Sequence, residues 1–120
     1  MANEITASGS ISYTKGNYSE SMSVSSLGIT VAGSRYQKVC QTVGTSEEVL
    51  NLGDVGAGGM CMIKNLDGTN FVSVRAATGA ANLIKIPAGG FALFPMAASI
   101  TPYVIADSAS VDIEVLLIAP

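Results

Sequence analysis

Polar and apolar residues alternate almost without fault over residues 4–14. Ile5, Ala7, Gly9, Ile11 and Tyr13 fall on one parity, and Glu4, Thr6, Ser8, Ser10, Ser12 and Thr14 on the other. A period of two over this length predicts a half-buried β-strand with a hydroxyl-rich outer face. Lys15-Gly16-Asn17 carries turn chemistry. Residues 19–31 are rich in serine. Met22 and Val24 share one parity there, whereas Leu27, Ile29 and Val31 share the other, so the apolar phase slips by one near Ser25-Ser26. A bulge or a bend would absorb that slip. Alternatively, residues 19–26 form an extended arm and only the chain from Leu27 onward joins a sheet. After Gly33-Ser34, residues 35–43 resume the pattern, with Val39 and Val43 on one face and Tyr36 and Cys40 on the other.

The middle of the chain reads as a hairpin over residues 60–76. Two β-prone runs flank Asp67-Gly68, a pair suited to a type I′ turn in which both central residues take positive φ. The implied register sets Ile63 against Val72 and Cys61 against Val74 on an apolar face. It sets Lys64 against Phe71, Met62 against Ser73 and Met60 against Arg75 on a mixed face. Further short strands are predicted at 49–52, 82–86, 91–94, 103–106 and 111–118, punctuated by turns such as Pro87-Ala88-Gly89-Gly90. Val111, Ile113, Val115 and Leu117 point inward, and Asp112 and Glu114 outward. Leu116 and Ile118 share the outward side, so this end of the strand is expected to be covered on both faces, by a strand layer or another subunit. Eight to nine short antiparallel strands without a helical period predict an all-β, single-domain β-sandwich or jelly-roll-like barrel. Residues 1–26 form an N-terminal strand or arm, with an intersubunit role in view, and residues 27–120 the core.

Composition sharpens this picture. A chain of 120 residues supports one modest core. Apolar residues make up 48% and charged residues only 12%, against about 25% charged in ordinary domains. So much neutral surface suits a protein packed against copies of itself or a partner. The net charge is −3 and the six basic residues are scattered, which disfavours nucleic acid. No apolar run is long enough to span a bilayer. Met-Ala-Asn-Glu lacks the segments of a secretory signal, so use without export is expected. Cys40 and Cys61, both in β-prone runs, are expected to be free thiols behaving as small buried hydrophobes.

Candidate chemistry is sparse. The absence of histidine removes the usual general base, metal ligand and nucleophilic triads. Glu47 and Glu48 are adjacent and would diverge in a strand. Asp107, Asp112 and Glu114 lie near a turn, but their spacing matches no calcium loop. The glycines from Gly53 to Gly59 precede a strand, not the helix a phosphate loop requires. No catalytic, cofactor or metal site is expected. Tyr13, Tyr18, Tyr36, Phe71 and Tyr103 could stack on sugars, with packing the commoner use. The Ser/Thr face of the first strand could meet a neighbouring sheet edge.

Four stretches have a familiar cast: Asn51-Leu52-Gly53-Asp54, the run from Lys64-Asn65-Leu66-Asp67-Gly68 to Val72, Lys85-Ile86-Pro87-Ala88-Gly89-Gly90-Phe91-Ala92-Leu93-Phe94, and the run from Thr101-Pro102-Tyr103 to Ala109. With them the chain resembles small virion-structural, decoration-type proteins of tailed bacteriophages. The resemblance implies a non-enzymatic virion component, made in the host cytoplasm. Its expected role is capsid decoration, cementing a phage head by binding the major capsid protein or other virion proteins as a homo-oligomer, a trimer preferred. The alternative is a tail or fibre component that binds a host-surface glycan. Neither nucleic acid nor membrane is an expected partner. The candidate interface residues are Ile5, Ile11, Tyr13, Tyr18, Met22, Val24, Leu116 and Ile118.

Overall fold

The computed structural model describes residues 4–55, 59–97 and 100–120, with the Asp54 side chain left aside. The glycine run from Gly53 to Gly59, expected to lead into a strand, thus lies partly outside the described residues. Among the described residues there are ten strands, one 3-10 turn (Gly53–Val55) and no α-helix. The fold is all-β, and every strand pair is antiparallel. The chain divides into two compact units, Met1–Ala32 and Gly33–Pro120.

The first unit is a two-stranded ribbon of β1 (Ile5–Lys15) and β2 (Tyr18–Ile29). Lys15 pairs with Tyr18 across the two-residue loop Gly16-Asn17. Gly16 has φ +58°. A glycine with positive φ at the first central position is what a type II′ turn needs, and its twist matches that of the flanking strands. The phase slip in the sequence is a real bulge. Gly9 pairs with Val24 and Ala7 with Leu27, so Ser25 and Ser26 together oppose Ser8. Ser26 adopts φ +57°, and its amide donates to Ser8 Oγ at 3.0 Å. Because the bulge absorbs the slip, β2 runs on past Ser26 to Ile29, and the unit extends to Ala32 rather than ending at residue 26. The left-handed conformation costs a serine about 1 kcal/mol relative to glycine. Ser26→Gly is therefore expected to stabilise the ribbon by roughly 0.5–1 kcal/mol, read as slower amide exchange at Ala7 and Leu27.

The second unit is a β-sandwich. One sheet holds, in order, β3 (Tyr36–Val43), β10 (Val111–Ile118), β5 (Met60–Asn65) and β8 (Phe91–Pro95). The other holds β4 (Glu48–Val49), β9 (Tyr103–Ala106), β6 (Val72–Arg75) and β7 (Asn82–Ile86). Counted from β3, the sheets read 1-8-3-6 and 2-7-4-5, the strand order of a jelly roll. Alternation decides which residues meet inside. Val111, Ile113, Val115 and Leu117 from β10 are fully buried, as are Ile63 and Cys61 from β5 and Val72, Val104 and Ile86 from the facing sheet. Val43, Leu50, Val74 and Ala106 complete the cluster, with residues such as Val39, Ile84, Ala92 and Phe94 packed at its margin.

The hairpin expected over 60–76 does not form. β5 and β6 belong to opposite sheets, and Ile63 and Val72 lie on the two inner faces instead of pairing in a ladder. Asp67 and Gly68 do not take positive φ, so the type I′ turn is absent. Side chains claim the groups that a hairpin would have paired. The Asn65 amide donates to the carbonyls of Asn70 (2.9 Å), Ile86 (3.2 Å) and Pro87 (3.1 Å), and its Oδ1 accepts from Asp67 N at 2.9 Å. Asp67 Oδ2 accepts from the Asn70 and Thr69 amides, which hold its carboxyl below the usual aspartate range. Leu66 N donates to Asp112 O at 2.9 Å. The chain thus leaves one sheet at Asn65 and enters the other at Val72. The neighbouring crossover turns at Pro87-Ala88-Gly89-Gly90, closed by Gly90 N to Pro87 O at 2.8 Å, with Gly89 at φ +71° as a type II turn demands.

The two thiols are free but differ: Cys61 is buried, and Cys40 is exposed, contrary to the expectation that both would be buried. Cys40 lies on the outer parity of β3, beside Glu114. Burial pushes the Cys61 thiol up to about 11.

Candidate interaction surface

Cross-strand pairs share a face, so the bulge has a chemical result. Ile5 and Ile29, Ala7 and Leu27, Gly9 and Val24, Ile11 and Met22, Tyr13 and Glu20, and Lys15 and Tyr18 are paired, and all twelve stand on one side of the ribbon. The other side carries Thr6, Ser8, Ser10, Ser12 and Thr14 against Gly28, Ser23, Ser21 and Ser19. The apolar side is open. Ile11 is 70% exposed, Met22 72% and Tyr18 75%, with Tyr13, Val24 and Leu27 about half exposed or more. The half-buried strand expected over 4–14 is instead exposed on both faces from Ser8 onward. A shallow depression over Gly9 is bordered by Ile11, Met22 and Val24.

Six of the eight candidate interface residues, Ile5, Ile11, Tyr13, Tyr18, Met22 and Val24, therefore share the ribbon's apolar side, where Ile5 is buried at the base. Leu27, Ile29, Lys15 and Glu20 belong to the same side and were not singled out from the sequence. Carrying the apolar phase across the Ser25-Ser26 slip would have found Leu27 and Ile29.

Leu116 and Ile118 lie in the other unit, half-buried on the outer face of the β3-β10-β5-β8 sheet. Leu116 sits between Lys38 and Met62, Met62 beside Leu93, Ile118 beside Tyr36, and Lys64 beside Phe91. Tyr36 and Phe91 are exposed. Glu114 lies amid this apolar surface, 3.8 Å from both Lys38 Nζ and Lys64 Nζ.

The carboxylates are used in structure. Glu47 accepts from Arg75 Nη1 at 2.8 Å, from Gly79 N at 2.9 Å and from Thr78 Oγ1. Glu48 turns elsewhere, to Gln41 Nε2 and Gly44 N. Asp112 accepts from Thr42 Oγ1 at 2.7 Å. Among the described residues, no three Cys, Asp or Glu side chains gather as metal ligands would, so Asp107, Asp112 and Glu114 do not converge. No described helix is long and apolar enough to cross a membrane.

Glu47 ties the loop after β6 to the segment before β4. The Thr78 hydroxyl, the Gly79 amide and the Arg75 guanidinium pull its acidity from the ordinary 4.5 to about 2. A carboxylate whose folded pKa is depressed stabilises the fold above its unfolded pKa, and that contribution disappears as pH falls toward the folded value. Glu47→Gln is therefore expected to flatten the dependence of melting temperature on pH between 4.5 and about 2, relative to the parent. Equal slopes for the two proteins over that window would show that the contacts add nothing.

Comparison with known proteins returns no match among family models, curated sequences or solved structures.

Proposed function

We propose that the protein is a non-enzymatic virion structural component that decorates the outside of a tailed-phage head and cements neighbouring capsid subunits. The observation that carries this reading is the surplus of uncovered apolar surface, divided between the two units: the ribbon side from Ile11 to Leu27, and the sheet face where Tyr36, Phe91 and Leu93 are exposed around the half-buried Met62, Leu116 and Ile118. Soluble monomers seldom leave such continuous patches open. A part that joins other parts needs more than one. Each surface buried across a joint raises the free energy needed to separate the pieces it spans. Two further points support the reading. The jelly roll recurs in capsid proteins, although fold alone assigns no role. The resemblance to phage decoration-type proteins also covers most of residues 49–118. The glycan-binding alternative draws less support, because the sandwich aromatics Tyr36 and Phe91 stand on strand faces and not around a concave loop surface.

Co-sedimentation with undecorated phage heads tests the proposal. Saturable binding at a fixed ratio to the major capsid protein, with heads that then resist heat, is the expected result. Heads that neither retain the protein nor gain stability would overturn it.

A further inference from the structure

We infer that the apolar side of the ribbon is occupied by the same side of another copy of this chain, with the ribbons parallel and their tips together. The inference deepens the decoration reading by naming what covers one of its two surfaces, and it rests on that reading only for its biological setting.

The argument starts from what the ribbon lacks. A two-stranded ribbon is marginal by itself in water, and its apolar side wants a second layer. Within the chain that side stays exposed from Ile11 to Leu27. The identity of the second layer follows from charge. Of the twelve residues on this side, only Lys15 and Glu20 are charged. They lie on opposite strands, one cross-strand pair apart, at the tip. Among the described residues no ion pair joins them within the ribbon, and Glu20 Oε1 takes only its neighbour Ser21's amide, at 3.2 Å.

A second copy supplies the complement to both charges at once. When ribbons pack side to side about an axis parallel to their length, β1 of one faces β2 of the next. Lys15 of each copy then lies on the strand that faces its neighbour's Glu20, one cross-strand pair (about 7 Å) nearer the tip, a diagonal that the long lysine side chain spans, and Ile11, Met22 and Val24 pack below them. Two copies satisfy this geometry, and so do three in a ring. Tip-to-base packing fails. It would set Lys15 and Glu20 of one copy over Ile5, Leu27 and Ile29 of the other, leaving charges without partners on apolar ground. The depression at Gly9 gives the facing Val24 somewhere to enter.

The test is the mass of the full chain in solution, by sedimentation equilibrium over a range of concentrations. The parent is expected to be a dimer or trimer. Ile11→Ser combined with Met22→Ser should weaken association on the order of a hundredfold or more while the melting of the sandwich stays unchanged. Ser12→Lys combined with Ser21→Lys, on the hydroxyl side, should leave the mass of the assembly unaltered. Charge gives the sharper arm of the test. Lys15→Glu and Glu20→Lys should each weaken self-association by roughly three- to tenfold, and mixing the two variants should restore it, because each then supplies what the other lacks.

A monomeric parent, an oligomer indifferent to Ile11→Ser with Met22→Ser, or a mixture no stronger than its components would each overturn the inference. If Ile11→Ser with Met22→Ser abolishes binding to phage heads without changing the mass, the ribbon docks on the shell: the inference falls and the decoration reading stands. If the parent forms the expected oligomer but ignores heads, the decoration reading falls and the ribbon pairing stands.

Discussion

Asn65→Leu is expected to destabilise the sandwich by about 3 kcal/mol or more, the largest effect of any polar substitution in it. Asn65 is only 3% exposed. Its amide serves three carbonyls, two of them in the crossover that leaves β7, and its Oδ1 fixes the Asp67 amide in the crossover that leaves β5. Leucine has nearly the same shape but no polar atoms. The Asn70, Ile86 and Pro87 carbonyls would keep their desolvation cost and lose their donor. Two chain reversals at one end of the sandwich would loosen together. Urea denaturation followed by far-ultraviolet circular dichroism reads the loss as a lower midpoint. Asn65→Asp should not rescue, because a carboxylate faces the same carbonyls with no hydrogen to give. An unfolding free energy within about 0.5 kcal/mol of the parent would mean that water replaces the amide at no cost.

This same residue explains the main divergence between sequence pattern and fold. Alternation tells which residues share a face, and on that score Ile63 and Val72 do lie in the core. Strand bounds at β7, β9 and β10 were also legible, because Gly, Pro and Asp-Ser punctuation brackets them. What alternation does not encode is the neighbour. Asp67-Gly68 between β-prone runs satisfies the local requirement for a hairpin, but one buried side-chain amide and the Asp67 carboxylate redirect the chain across the core. In a jelly roll most ladder partners are remote, so local turn chemistry has little say. The ribbon is the converse case. Its partner strand is adjacent in sequence, and the slip at Ser25-Ser26 already announces the bulge. The exposure of its apolar side was not legible, since alternation reads alike whether or not a second layer is present.

Ile113→Ala is expected to cost about 3–4 kcal/mol. Ile113 is fully buried on β10, which pairs on both sides, with β3 and β5. Truncation leaves a cavity lined by residues of both sheets, and strands held on two edges cannot easily close on it. The melting temperature should fall by roughly 10 °C or more. Leu116→Ala, three residues along the same strand but on the half-buried outer face, should cost about 1 kcal/mol in the free protein. The contrast is the informative quantity. If the two substitutions cost the same, the outer face is already covered in the free chain. If Leu116→Ala is mild in solution but weakens attachment to phage heads, the sheet face is the contact with the shell.

The strand order has a consequence for synthesis. Among the described residues of the sandwich, only the β6–β7 ladder joins strands consecutive in the chain, and β3 has no ladder partner but β10. While a ribosome adds ~5–20 residues per second, β3 must wait through the whole intervening chain until Ile118 is free to lie beside Tyr36. The ribbon waits for nothing. Its strands meet across Gly16-Asn17, and hairpins close in ~1–10 μs. In every nascent chain the ribbon can thus begin to form while the sandwich is still incomplete, and, marginal by itself in water, it gains most from a second layer. With ribbons that pair as we infer, chains growing side by side on one messenger would meet before either has a core, and the company a copy keeps would be settled during translation.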